Sequence, residues 1–136
     1  MGLVDAREAT ALRWRLLFLR RALKKRCPQC GLGRLFRGFA RLETKCAVCG
    51  LVFRREMGSQ TGAMYLSAAV TEIFAALVAL ALFFATDWSV STALGVGVVL
   101  VLAFSYTFLP VAMAVWVGVE YGTDYSNGEA WARPRE

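Results

Sequence analysis

The sequence contains no histidine among its 136 residues. Histidine is the most common protein ligand for catalytic metals and the most common general base near neutral pH. Its absence removes the usual routes to metal-dependent hydrolysis and to acid–base catalysis. We therefore expect a protein that is not an enzyme and has no catalytic residues.

Lysine and arginine are missing between Arg55 and Arg133. This gap is filled mainly with Ala, Val, Leu and Phe, and the whole chain is 57% hydrophobic with a mean hydropathy of +0.49. A cation-free apolar stretch of this length is typical of a membrane domain. It predicts a transmembrane hairpin over residues 62–119, with spans at about residues 62–85 and 93–117.

The cations that are present lie almost entirely before the first predicted span. Fourteen Lys and Arg occur up to residue 61 and two occur after it. Because cytoplasmic flanks carry the excess of cations, this bias places both termini in the cytoplasm, including a tail at residues 120–136. Residues 57–61 are polar and glycine-containing and are expected to be a short linker at the membrane surface.

The four cysteines form two Cys-x-x-Cys pairs separated by fifteen residues. This spacing is typical of a zinc ribbon, because each pair turns two sulfurs toward one ion and the two pairs together complete a tetrahedron. Each pair is followed by a glycine, Gly31 or Gly50, which can adopt the positive φ that such a turn requires. We expect a ribbon over residues 27–56 with short β-strands near residues 35–39 and 51–54. The predicted metal ligands are Cys27, Cys30, Cys46 and Cys49.

Zinc is the predicted metal, and three alternatives remain. Iron is a second candidate ion, since four cysteines also bind iron–sulfur centres. Disulfides and a redox-active pair are the other two. A closed shell of four sulfurs leaves no open coordination position, so a zinc site of this type stabilises a fold and does not catalyse a reaction.

The first 26 residues read as a basic amphipathic helix, with the helical pattern starting at residue 3. Leucines recur at helical spacing and the cations lie around them. Such a helix suits an anionic lipid surface or a larger membrane protein, whereas nucleic acid is the less favoured partner because the positive charge adjoins a membrane domain. The predicted contact residues are Arg13, Arg20, Arg21, Lys24 and Lys25.

Glu72 is the one ionisable residue inside the predicted spans. A carboxylate near the centre of a bilayer costs about 2.5–3.5 kcal/mol, so it needs a compensating partner. In an antiparallel hairpin, Glu72 is expected to lie opposite Ser105 and Tyr106 and to bond a hydroxyl there. A proton relay and a link to a partner subunit are the functional alternatives to this internal contact.

The sequence RCPQCGLGRLFRGF at residues 26–39, followed by CAVCG at residues 46–50 and two spans, resembles the bacterial domain-of-unknown-function 983 family. The resemblance covers about residues 26–124 and leaves the first 25 residues outside it. It departs from the family pattern at Ala47, where a proline is common. The resemblance implies a membrane-tethered zinc ribbon in the bacterial inner membrane whose metal ligands are the four cysteines.

The resemblance also implies a link to aerobic electron-transfer complexes, and it assigns no role to Glu72. Together with the residues, it predicts an accessory or assembly subunit of an energy-converting, respiratory or photosynthetic, membrane complex. A membrane thiol-redox or metal-delivery protein is the first alternative. A membrane-bound regulator that binds nucleic acid through the ribbon is the second.

Overall fold

The computed structural model describes residues 2–53 and 60–132, with side chains from Arg13 onward. It contains three helices in this part of the chain: α1 (Gly2–Leu23), α2 (Thr61–Ala85) and α3 (Val90–Asn127). The fold is mainly helical, as predicted. The predicted linker at residues 57–61 and the end of the ribbon at residues 54–56 lie largely outside the described residues, as does the tail after residue 132.

The second and third helices are long and apolar enough to cross a membrane. They pack against each other as an antiparallel pair joined by residues 86–89. The side chain of Ser89 caps α3 by accepting a hydrogen bond from the N–H of Thr92 at 3.5 Å, as expected of a serine at this position.

The third helix extends well past the predicted end of its span near residue 117. It has 38 residues and continues to Asn127, where Gly128 takes a left-handed conformation with φ 75° and ends it. At 1.5 Å per residue, α3 is about 57 Å long. The whole helix is therefore longer than a hydrocarbon core of about 30 Å requires, and its C-terminal half packs against the rest of the described chain.

The first helix packs along this C-terminal half. Gly118 lies so close to α1 that a β-carbon there would stand 3.1 Å from the Cβ of Ala22. Eight residues further along α3, the Ser126 hydroxyl accepts a hydrogen bond of 3.4 Å from the Arg15 side chain. Since the contact moves from Ala22 to Arg15 as α3 proceeds from Gly118 to Ser126, the two helices run antiparallel.

The segment between α1 and α2 forms a compact unit, which we call the cysteine module (residues 26–53). Its predicted strands are not formed among the described residues. The module contains only isolated bridges, which pair Arg26 with Arg34, Phe36 with Leu42 and Lys45 with Val52. The strand prediction was wrong, because the backbone pairing of these segments does not extend beyond single bridges.

The cysteine module, α1 and α3 share one hydrophobic core. Phe18 of α1 and Tyr121 of α3 meet edge to face, with ring centroids 4.9 Å apart. Cys27 and Leu35 of the module, both fully buried, belong to the same cluster of buried side chains. Trp131 and Ala132 also pack on this core, and the Tyr121 hydroxyl donates a hydrogen bond of 3.0 Å to the carbonyl of Ala132. The module is therefore fixed to α3.

α1 ends at Leu23, three residues before the predicted end of the N-terminal helix. Lys25 has a φ of 57°, a left-handed conformation that redirects the chain into the first cysteine pair. The helix itself is present, but the described leucines of its predicted apolar stripe, Leu16, Leu19 and Leu23, are exposed or half-buried, whereas Phe18 and Ala22 are the buried side chains. Its amphipathic character remains a prediction.

Candidate metal centre

The two Cys-x-x-Cys turns have the same construction. The N–H of Gly31 donates to the carbonyl of Cys27 at 2.9 Å, and the N–H of Gly50 donates to that of Cys46 at 3.0 Å. Both glycines have the predicted positive φ, at 71° and 73°. The turns are therefore defined by local sequence, as the spacing indicated.

The four cysteine sulfurs converge on one point. They lie within 4.8 Å of one another, with Cys27 and Cys49 separated by 3.6 Å and Cys30 and Cys46 by 3.7 Å. A tetrahedral ion with metal–sulfur bonds of about 2.3 Å places its sulfurs about 3.8 Å apart, whereas a disulfide bond is about 2.05 Å long. All four cysteines are free thiols. The cluster therefore fits a tetrahedral metal ion.

Burial divides the four ligands into two pairs. Cys27 and Cys46 are buried, whereas Cys30 and Cys49 are half-buried. Burial raises the pKa of the Cys27 and Cys49 thiols. Burial also opposes ionisation of Cys30, but the backbone N–H groups of Gly33 and Leu32 outweigh it and lower the pKa of that thiol to about 7.

Gly33 is a further residue of the site that the sequence reasoning missed. A β-carbon at this position would overlap the Sγ atom of Cys46. The Gly33 carbonyl also accepts a hydrogen bond of 2.9 Å from the N–H of Cys27. The signal was present in the sequence as the Gly-x-Gly that follows Cys30. The sequence analysis used its first glycine, Gly31, and overlooked Gly33.

Arg21 lies in the site and is not a free surface cation. Its guanidinium donates to the carbonyls of Pro28 at 3.1 Å and Gln29 at 2.8 Å, and thus ties α1 to the first cysteine turn. These two bonds use one guanidinium nitrogen, Nη1, and the contact of Arg21 with a membrane surface or a partner stays a prediction. The other predicted contact cations are exposed on or just after α1: Arg13, Arg20, Lys24 and Lys25.

The predicted contact of Glu72 with Ser105 or Tyr106 is not formed. The Glu72 side chain is exposed on α2, and no hydrogen bond joins it to the described residues. The Tyr106 ring instead stacks on Phe39 of the cysteine module, with centroids 4.5 Å apart and planes 14° apart. The sequence placed Glu72 and Tyr106 at one level, but it could not show which faces of their helices they occupy.

Gly118 and Gly122 mark the α1–α3 contact and were also missed. Their β-carbons would stand 3.1 Å from the Cβ of Ala22 and 3.4 Å from the Cγ of Arg15, respectively. Glycines four residues apart lie on the same face of a helix and allow a second helix to approach closely. The G-x-x-x-G spacing in the sequence was the available signal.

The fold and the cluster define a class of protein: a mainly helical chain in which two long apolar helices carry a four-cysteine metal-type site. A family model described as a protein of unknown function (DUF983) matches residues 36–121, more than half of the chain. The chain belongs to this family. The matched region includes the second cysteine pair, α2 and most of α3. Searches of the curated proteins and of the solved structures found no match.

Proposed function

We propose that this protein is a non-catalytic accessory or assembly subunit of an energy-converting, respiratory or photosynthetic, membrane complex. One observation carries the proposal: the cysteine module, α1 and the C-terminal half of α3 share a single core. A rigid unit fixed to a long apolar hairpin is suited to holding a position on a larger complex. The restriction to energy-converting complexes rests on the family resemblance.

Zinc is the ion we propose for the cysteine site. Cys27, Cys30, Cys46 and Cys49 would hold it, and its contribution would be a cross-link between the two turns. The small module has few large buried side chains of its own besides Leu35, Phe36, Leu51 and Phe53. A cross-link at this point compensates for a core too small to hold two turns together.

We further propose that the hairpin lies in the bacterial inner membrane with the module and both termini in the cytoplasm. The excess of cations before residue 62 supports this orientation. In this arrangement α1 runs along α3 and away from the hairpin, so its exposed cations suit an acidic surface on a partner protein better than the bilayer. The exposed residues in question are Arg13, Arg20, Lys24 and Lys25.

Metal delivery or thiol exchange is a second candidate function. It is favoured by the partial exposure of Cys30 and Cys49, the two half-buried cysteines of the cluster. A structural ion should instead exchange very slowly with an added metal acceptor. The two functions are therefore separable by exchange.

The proposal is tested by isolating the full chain from native membranes under mild solubilisation. We expect a stable complex with a larger integral membrane protein of an electron-transfer chain, identified by mass spectrometry, and one zinc ion per chain. A partner-free, monodisperse protein would contradict the accessory function. Transfer of the metal to an apo-acceptor within minutes, without unfolding, would favour the delivery function instead.

A further inference from the structure

Two contacts fix the alignment of α2 with α3. Gly62 lies against the ring of Trp116, and the rings of Phe74 and Phe104 stack with centroids 4.0 Å apart. Gly62 and Phe74 are as far apart on α2 as Phe104 and Trp116 are on α3, so both contacts belong to one antiparallel register. In that register Glu72 lies level with Tyr106.

The cysteine module reaches this same level. Its residues 37–41, which we call the module tip, form a turn closed by a hydrogen bond of 2.8 Å from the N–H of Arg37 to the carbonyl of Arg41. Phe39, at the centre of the tip, stacks on Tyr106. Glu72, Tyr106 and Phe39 therefore mark one plane across the protein.

The tip carries charges that exclude it from hydrocarbon. Arg37 is 69% exposed and is paired with Glu43 at 3.1 Å, and Arg41 is exposed. Arginine in the hydrocarbon centre is strongly unfavourable. The edge of the hydrocarbon layer must then lie at the plane of Tyr106 and Glu72, or between this plane and the α2–α3 loop at residues 86–89.

The exposed side chains of the hairpin agree with this boundary. On the far side of the plane, large apolar side chains are exposed along both helices, including Ile73, Leu77, Phe83, Leu94, Val98 and Leu102. On the near side they are fewer among the described hairpin residues, and include Met64, Tyr65 and Leu109. Phe39 and Tyr106 are themselves 45% and 64% exposed. Exposed aromatic rings next to arginines are typical of the head-group layer.

We propose that the module tip binds the phosphate group of anionic phospholipids in the adjacent leaflet. Arg41 provides the positive charge, because Arg37 is already paired with Glu43. The stacked rings of Phe39 and Tyr106 lie at the boundary between head groups and hydrocarbon. This inference rests on the proposal that the hairpin spans a membrane, and it places Glu72 at the inner interface instead of the bilayer centre.

A short hydrocarbon-facing band follows from this position. From Glu72 to the end of α2 the chain rises about 20 Å, and from the start of α3 to Tyr106 it rises about 24 Å. A typical hydrocarbon core is about 30 Å thick. The protein is therefore expected to draw the leaflet surface toward the tip and to thin the bilayer around it.

Depth is tested with the full chain in lipid nanodiscs. A nitroxide amino acid replaces Gly38, where a new side chain would meet nothing within 4 Å and all four cysteines stay intact. Two control labels define the extremes. A label at Asn127, about 30 Å along α3 from Tyr106, reports water, and a label at Leu94 reports hydrocarbon. We expect oxygen and nickel-chelate accessibility at position 38 to lie between the two controls. A position-38 value equal to that of Asn127 overturns the proposal.

The lipid preference is tested with spin-labelled lipids in the same nanodiscs. The wild-type protein should immobilise phosphatidylglycerol in preference to phosphatidylcholine, and Arg41→Gln should lower this preference about fivefold. Arg41→Lys, which keeps the charge, should retain most of it, and Arg13→Gln on α1 should not change it. Equal losses in Arg41→Gln and Arg13→Gln, or no loss in either, contradict a lipid site at the tip.

The depth controls also separate this inference from the function proposed above. If the label at Leu94 reports water, the hairpin does not span the bilayer and both proposals are overturned. If Leu94 reports hydrocarbon while position 38 matches Asn127, the spanning hairpin stands and the lipid site is wrong. Metal content is measured for each variant, so that loss of the module fold is recognised directly.

Discussion

Gly33 lies directly against the sulfur of Cys46, in a space that no β-carbon can share. This contact brings the turn after the first cysteine pair onto the second pair. It explains how two separate turns place their sulfurs within 4.8 Å of one another.

Gly33→Ala is expected to abolish stable metal binding. The added methyl group must displace the Cys46 sulfur, and a tetrahedral site tolerates only small changes in ligand position. Metal content after purification measures the effect. Gly38→Ala is the matched control, since it adds the same methyl group to the same module where nothing lies within 4 Å. Equal metal content in the two variants would contradict this account.

Arg21→Gln is expected to destabilise the module by about 2 kcal/mol, because two hydrogen bonds from a charged donor to backbone carbonyls are lost. The measurement is the rate at which the metal passes to a chelator. Because the metal leaves when the module opens, a loss of about 2 kcal/mol should increase this rate about thirtyfold. Arg20→Gln, an exposed neighbour on α1, serves as the control and should leave the rate unchanged.

Gly118→Leu is expected to separate α1 from α3. Its β-carbon would already stand 3.2 Å from the backbone of Leu19, and overpacking of this kind costs about 1–3 kcal/mol. Hydrogen exchange should become faster in α1 while α2 stays protected. Gly95→Leu changes the same helix at a position with no neighbour within 4 Å. If α1 exchanges its amide hydrogens at the same rate in both variants, the close contact at Gly118 does not hold α1 against α3.

Metal affinity is expected to fall steeply as the pH falls. The thiols of Cys27 and Cys49 have a raised pKa in the metal-free cluster, so both are protonated at pH 7 to 8 and must lose their protons on binding. Each released proton changes the affinity about tenfold per pH unit, and these two alone give about a hundredfold decrease from pH 8 to pH 7. Competition with a chelator at the two pH values measures this decrease. A change below tenfold would contradict protonated thiols at these positions.

Local features of the protein were predictable from the sequence, because they depend on a few neighbouring residues. The convergence of the four cysteines follows from two short turns and their spacing, and Gly31 and Gly50 have the positive φ that the turns require. The two apolar helices follow from composition alone. The form of each turn and of each helix thus has its cause within one segment of the chain, whereas the meeting of the two turns also uses the contact of Gly33 with Cys46.

Features that depend on contacts between distant segments were not predictable. α3 continues past Glu120 and Asp124 in the region where α1 and Ala132 cover Tyr121, and nothing local to those residues indicates this contact. The bonds of Arg21 to the carbonyls of Pro28 and Gln29 were missed because a helix pattern does not show that the following chain folds back over it. The short strands were expected from local sequence, but the facing segments among the described residues pair only through single bridges.

The uninterrupted length of α3 gives the protein a mechanical property. One helix of 38 residues connects the loop at Asp87 with the core that holds the cysteine module, and Pro110 lies within it without ending it. A rod about 57 Å long that pivots by about 10° moves its far end by about 10 Å. In the proposed membrane arrangement, a tilt of the hairpin by this angle would therefore displace the far end of α3 and its contact with α1 by about 10 Å, and the module tip at Tyr106, about 24 Å along the helix, by about 4 Å.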